Sequence, residues 1–129
     1  MILDTTFVVD LIKGNHIAVS KLKHLEKNNL SYAITTPTIF ELWSVLISLD
    51  KSDKERQKTI SLIREQIIYT LDERGAEEAG KIDGELIKKG LMIDPEDCMI
   101  AGIAITHNKK VLTRDEHFKR IEGLKVEEY

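Results

Sequence analysis

Four acidic residues stand where carboxylates could act together: Asp4, Glu41, Asp97 and Asp115. Each lies at or just past the junction between a short apolar run and a helical pattern. Asp4 closes the run MIL, and Glu41 follows Thr36-Pro37 by one helical turn. Asp97 comes after Asp94-Pro95-Glu96, and Asp115 comes after Val111-Leu112-Thr113-Arg114. Hard divalent ions such as Mg²⁺ take oxygen ligands and keep part of their water shell, so a few convergent carboxylates can hold one. Without a cation the same carboxylates repel and raise one another's pKa, a cost that a metal removes. Ions held in this way could activate water for in-line attack on a phosphodiester and stabilise the attacking and leaving oxygens. The hydroxyls of Thr6 and Thr113 could bond to Asp4 and Asp115 and fix their orientation.

Each acid also has a purely structural reading. Asp4 and Asp115 could cap the helices that follow them, Asp97 could complete a capping arrangement, and Glu41 could face solvent beside Val45 and Ser48. Other chemistries find less support. His16, His24, His107 and His117 have no zinc-like spacing with the lone Cys98, which lies in an apolar run and reads as a buried structural thiol. No serine or cysteine is arranged with histidine for covalent catalysis, and no Gly-rich phosphate loop is present. Asp10, Asp72 and Asp94 are weaker site candidates, Asp10 reading as a surface or salt-bridge residue. His117 reads as a surface helix residue near the edge of the same cleft.

The elements that must position these acids alternate between short strands and helices, the pattern of an α/β fold. MIL is a strand, Thr5 or Thr6 caps a brief helix to Gly14, and a second helix runs from about His16 to Lys27 with Ile17, Leu22 and Leu25 inward, stopped by Asn28-Asn29. SYAIT is the second strand, and Thr36-Pro37 opens a helix to about Leu49. A helix from about Lys54 to Glu65 leads to the strand IIYTL. Asp72 then caps a charged helix whose inner face is Ala76, Ala79, Ile82 and Leu86, and Gly90 ends it. Asp94 caps a helix with proline at its first position and acids in its first turn, where the helix dipole favours them. Ala101, Gly102 and Ala104 are small enough to let that helix lie close against the sheet. Lys110 to Thr113 is a fourth strand, a short helix follows Asp115, and Leu124 to Val126 is an edge strand. Parallel strands need crossovers of this length, so a mostly parallel five-stranded sheet in a three-layer α/β/α sandwich is expected. In open sheets of this kind the working crevice lies beyond the carboxyl ends of the strands, where Asp4 and Asp115 fall.

With 129 residues, 42% apolar and 32% charged, the chain reads as one domain, residues 1–129, with a continuous core. Aromatics are only 5%, too few for a broad base-stacking platform, and the net charge of -3 argues against a wholly basic nucleic-acid-binding surface. Local basic clusters exist nonetheless, at Lys13, Lys21, Lys23 and Lys27 and again at Lys109, Lys110, Arg114, Lys119, Arg120 and Lys125. No signal sequence or membrane-length apolar run is evident, so the cytoplasm is the expected compartment.

Four segments carry a family resemblance. ILDTTFVVDLIKG, TTPTIFELWSVL, PEDCMIAGIAI and VLTRDEHFKRIEGLKV resemble, in order, the four motifs of the PIN-domain family, and most of all its toxins of the VapC type. The resemblance runs nearly end to end. It implies strand order 3-2-1-4-5, an endoribonuclease dependent on Mg²⁺ or Mn²⁺, and direct metal ligation by Asp4, Glu41 and Asp97. Asp115 falls at a position often filled by asparagine, implying ligation through water or support of a second ion, and Thr113 matches a hydroxyl position beside it. The resemblance also implies a homodimer and an antitoxin partner that itself binds operator DNA, with apolar residues such as Phe7 and Leu11 covered by the antitoxin or the second protomer. Three alternatives remain at this level. One is a PIN nuclease of RNA processing or quality control, another a non-catalytic protein- or RNA-binding module of the same fold. The third, a phosphatase-like or response-regulator-like protein, lacks the paired early acids expected of a receiver domain.

Overall fold

Runs of β-branched and aliphatic residues too short to make a helix become the strands of a single sheet. The computed structural model describes residues 1–129 and contains β1 (Ile2–Leu3), β2 (Ala33–Thr35), β3 (Ile67–Tyr69), β4 (Val111–Leu112) and β5 (Val126–Glu127). The helices are α1 (Thr5–Ile12), α2 (His16–Lys27), α3 (Thr36–Ser48), α4 (Asp53–Arg64), α5 (Glu73–Lys88) and α6 (Pro95–Thr106), with a 3₁₀ turn over Glu116–Arg120. Every strand pair is parallel and the order is β3-β2-β1-β4-β5, the order implied by the family resemblance. β1 lies at the centre, so the residue that follows it emerges between two neighbours.

The period-two alternation of a strand divides the core into two layers. Ile2 pairs with Val111 and both enter one cluster with Ala79, Ile82 and Leu86 of α5 and Ile100 and Ile103 of α6. Leu3 pairs with Leu112 and both enter the other, with Phe7, Val8, Leu25, Leu42 and Ile63 from α1 to α4. Helices therefore cover both faces, the arrangement that buries a parallel sheet.

Local chemistry sets the helix ends. The Asn15 side chain caps α2 by accepting from the amides of Ile17 and Ala18. Ser52 and Glu55 form a reciprocal capping box on α4, and Asp72 accepts from the Gly75 amide at 2.8 Å. Asn29 and Gly90, with φ of 52° and 69°, supply the left-handed turns that end α2 and α5.

Several sequence expectations need correcting. Asp4, not Thr5 or Thr6, is the N-cap residue of α1, and both threonine hydroxyls are used elsewhere. Ile17 is exposed, and its neighbour Ala18 is buried instead. On α5, Ala79, Ile82 and Leu86 face inward as expected, but Ala76 is exposed and Gly75, four residues before Ala79, completes the buried stripe. Gly102 meets α5 rather than the sheet. A Cβ there would sit 2.6 Å from the Gly75 carbonyl oxygen and 2.8 Å from the Ala79 nitrogen, so only glycine permits this backbone approach. Phe7 is wholly buried in the chain's own core and is not open to a partner, while Leu11 is only partly buried against that core. The strand IIYTL shortens to an edge strand with Ile67 and Ile68 exposed, and β5 shifts to Val126–Glu127.

Candidate active site

The sheet ends in acids because its ladder stops there. The Asp4 amide donates to the Leu112 carbonyl and the Thr113 amide to the Glu127 carbonyl, so these residues leave the carboxyl edges of β1 and β4 side by side. Asp4, Glu41, Asp97 and Asp115, the four acids singled out in the sequence, line one cleft of about 230 Å³ together with Thr5, Thr6, Asp10, Lys13, Asp94 and Arg114. Larger hollows elsewhere on the molecule hold no comparable group of acids.

Asp4 sits at the bottom, 1% exposed. The hydroxyls of Thr6 and Thr113 both donate to its Oδ2, at 2.5 and 2.7 Å, which leaves Oδ1 without a hydroxyl partner. Burial raises the Asp4 pKa above the ordinary carboxylate range, and the two hydroxyls oppose that rise. Thr113 therefore serves Asp4 rather than the Asp115 carboxylate. Its oxygen accepts from the Asp115 amide at 2.9 Å and so fixes that residue's backbone.

Glu41 reaches the cleft from α3. The Thr5 hydroxyl donates to its Oε1 at 2.8 Å, a contact the sequence reading missed. Burial raises its pKa, and the charge of Asp4 adds to the rise. Asp97 lies in the first turn of α6, 8% exposed. Its pKa is pushed up to about 8, first by burial and then by the charges of Asp4, Glu41, Asp115 and Asp94. Asp115 keeps its capping role, accepting from the His117 amide at 2.9 Å, while also lining the cleft. His117 is exposed, its ring 3.3 Å from Asp115. Asp94 takes the N-cap position of α6 without a side-chain cap bond, so its carboxylate is not spent on the helix.

The remaining candidates resolve simply. Cys98 is buried, and its thiol is pushed up to about 12 by burial and the nearby Asp83, so it is no nucleophile. Asp10 is buried in an ion pair with Arg114, so the salt-bridge half of its expected role is correct and the surface half is not.

A divalent ion suits this donor set. The ligand atoms its acids and threonines offer are all oxygens, and the pKa values of Asp4, Glu41 and Asp97 are raised first by burial, with neighbouring carboxylates adding to the rise at Glu41 and Asp97. In this structure no three of these carboxylates are drawn together as a ready-made metal-holding group, so waters or side-chain movement would have to complete an ion's shell.

An all-parallel 3-2-1-4-5 sheet with acids gathered at the carboxyl edge of its central strands defines the class. The chain belongs to the PIN domain family, which matches residues 1–124. VapC proteins are among the proteins it resembles. Ribonuclease VapC1 of Rickettsia felis is 30% identical, the match covering 98% of this chain and 93% of that one. The tRNA(fMet)-specific endonuclease VapC of Salmonella typhimurium is 29% identical over 98% of this chain and 96% of its own. A chain in the crystal structure of VapBC2 from Rickettsia felis, bound to a DNA fragment from their promoter, superposes with a TM-score of 0.88 at 28% identity. That match covers 99% of this chain and 97% of the other.

Proposed function

We propose that the chain is a divalent-metal-dependent endoribonuclease, one PIN domain over residues 1–129, and the toxin of a type II toxin–antitoxin pair. The observation that carries this reading is the convergence of Asp4, Glu41, Asp97 and Asp115 on one cleft at the carboxyl edge of β1 and β4. Mg²⁺ or Mn²⁺ would be held by Asp4, Glu41 and Asp97, with Asp115 acting through water or on a second ion. When bound, the ion supplies charge neutralisation at the scissile phosphate and a lowered pKa for the attacking water.

The chain's own residues prepare that site. Thr6 and Thr113 lock one oxygen of Asp4, so the ligand does not have to be ordered when the ion arrives. Thr5 does the same for Glu41 across the α1–α3 gap. Asp97, whose pKa burial and then its acidic neighbours push up to about 8, would give up its proton to serve as a ligand.

Partner binding is supported by an exposed apolar stripe on α3, where Phe40, Trp43 and Ile47 recur at helical spacing. Such a stripe fits a second protomer or the antitoxin, and operator DNA would be reached only through the antitoxin. The promoter-bound VapBC2 complex supports that partnership. No helix is long and apolar enough to cross a membrane, and the reading places the enzyme with its RNA in the cytoplasm.

Induced expression in a bacterial host tests the toxin reading. Wild type should arrest growth with loss of intact RNA, and Asp4→Asn, made to the same level, should do neither. Equal growth in both, with RNA intact, would contradict it.

A further inference from the structure

The cleft contains two cations among its acids, and one of them is held in place by the core. Six carboxylates line it, those of Asp4, Asp10, Glu41, Asp94, Asp97 and Asp115, against Lys13 and Arg114. Arg114 Nη2 donates to Asp10 Oδ1 at 3.2 Å, and its Nε lies 3.2 Å from Oδ2. Asp10 is only 5% exposed. The Tyr129 hydroxyl donates to its Oδ2 at 2.8 Å, and the Tyr129 ring packs edge-on against the buried Phe7, with centroids 4.7 Å apart. An ordinary surface ion pair has both partners in water and contributes little. Here the carboxylate is fixed inside the protein, while the guanidinium side chain remains 58% exposed.

That asymmetry has a use. Guanidinium carries five N–H donors in a rigid fork that matches phosphate oxygens. Asp10 occupies the Nε/Nη2 edge, and Nη1 has no protein partner, so one edge of the fork is oriented and uncommitted. Lys13, exposed at the end of α1 and free of any ion pair, offers a second, unrestrained positive charge on the same rim. A polyanion entering a cleft dominated by carboxylates needs such contacts to offset repulsion away from the metal.

We propose that Arg114, oriented by Asp10 and Tyr129, is a positioning residue that grips an RNA backbone phosphate flanking the scissile one. This rests on the nuclease reading above. Arg114 fixes where the strand lies, and the four acids act on the bond beside it.

The test separates the two claims. Removing Arg114 alone would strand a buried carboxylate, so the informative variant is the double replacement Asp10→Asn with Arg114→Gln. Binding of a fluorescein-labelled single-stranded oligoribonucleotide of mixed sequence is followed by anisotropy across a salt series, in an Asp97→Asn background that blocks cleavage. Cleavage of the same RNA is followed in the native background. The double variant should lower the slope of log affinity against log salt by about 0.7, the loss of one phosphate contact on a single strand. KM should rise about tenfold with kcat little changed, as expected for uniform binding by one charge-assisted contact. Arg114→Lys should restore the slope without the full affinity, because it returns the charge but not the fork. Tyr129→Phe should keep the slope and raise KM less. An unchanged slope and KM in the double variant would overturn the clamp while leaving the nuclease intact. A fall in kcat at constant KM would overturn it too, since it would place Arg114 in the chemical step. Wild-type protein that shows the predicted slopes yet never cleaves RNA with Mg²⁺ or Mn²⁺ would support the clamp and overturn the nuclease reading.

Discussion

Replacing Asp97 by asparagine should make the metal-free protein more stable, and the amount can be worked from the site. In the fold Asp97 titrates near 8 against an ordinary value of 3.8. Between those values the folded form keeps a proton that the unfolded chain has released, so this residue's contribution to stability falls as pH rises from about 4 to about 8. At pH 7 about three pKa units of that window have been crossed, an upper bound of about 4 kcal/mol at about 1.4 kcal/mol per unit. Water in the open cleft screens the acids from one another, and about 2 kcal/mol is the working figure. Asparagine keeps the shape and carries no charge, so that penalty disappears. With an unfolding entropy of about 2 cal/mol/K per residue, the variant should melt about 7 °C higher at pH 7 in chelator. The assay is thermal unfolding of both proteins from pH 5 to pH 8, read as the difference in Tm. The difference should shrink toward pH 5 and, at pH 7, should reverse on adding Mn²⁺, which stabilises wild type far more than the variant. An asparagine variant that melts at or below wild type in chelator at every pH would refute the claim that Asp97 sits among unneutralised carboxylates.

Other consequences follow from single contacts. Thr113→Val removes a hydroxyl from Asp4 Oδ2 and should weaken Mn²⁺ binding about tenfold by calorimetry, with little loss of secondary structure. Thr5→Val should do the same through Glu41, and combining the two should give less than the sum if both acids hold one ion. Gly102→Ala places a methyl 2.6 Å from the Gly75 carbonyl. The substitution should cost about 2 to 3 kcal/mol, a fall of about 10 °C in Tm, despite alanine's better helix propensity.

The acids were legible in the sequence because each follows an element boundary that sequence marks well: the end of MIL, Thr36-Pro37, Asp94-Pro95 and Val111-Leu112. A strand end in a parallel sheet fixes where the next side chain goes, so Asp4 could be placed without knowing its partners. What was hidden depends on contacts distant in sequence. Thr5 meets Glu41 across 36 positions, Arg114 meets Asp10 across 104, and Tyr129 meets Asp10 across 119. No local pattern encodes those pairings. The two misplaced positions on otherwise correctly expected faces of α2 and α5 share another cause. Ile17 and Ala76 were placed inward by type, while burial follows the angle at which each helix lies on the sheet, and that angle turns Ala18 and Gly75 inward. The apolar stripe of α3, Phe40, Trp43 and Ile47, emerges only in the packed structure, where nothing in the chain covers it.

The central claim is that four carboxylates at one sheet edge make this chain a metal-dependent ribonuclease. Its most direct test is single-turnover cleavage of a structured RNA panel by protein stripped with chelator, then given Mg²⁺ or Mn²⁺, with Asp4→Asn and Asp97→Asn alongside. Cleavage by wild type that is absent in chelator, restored by the ion and lost in both variants is the predicted result. Cleavage that persists in chelator, or survives in either variant at the wild-type rate, would contradict the account.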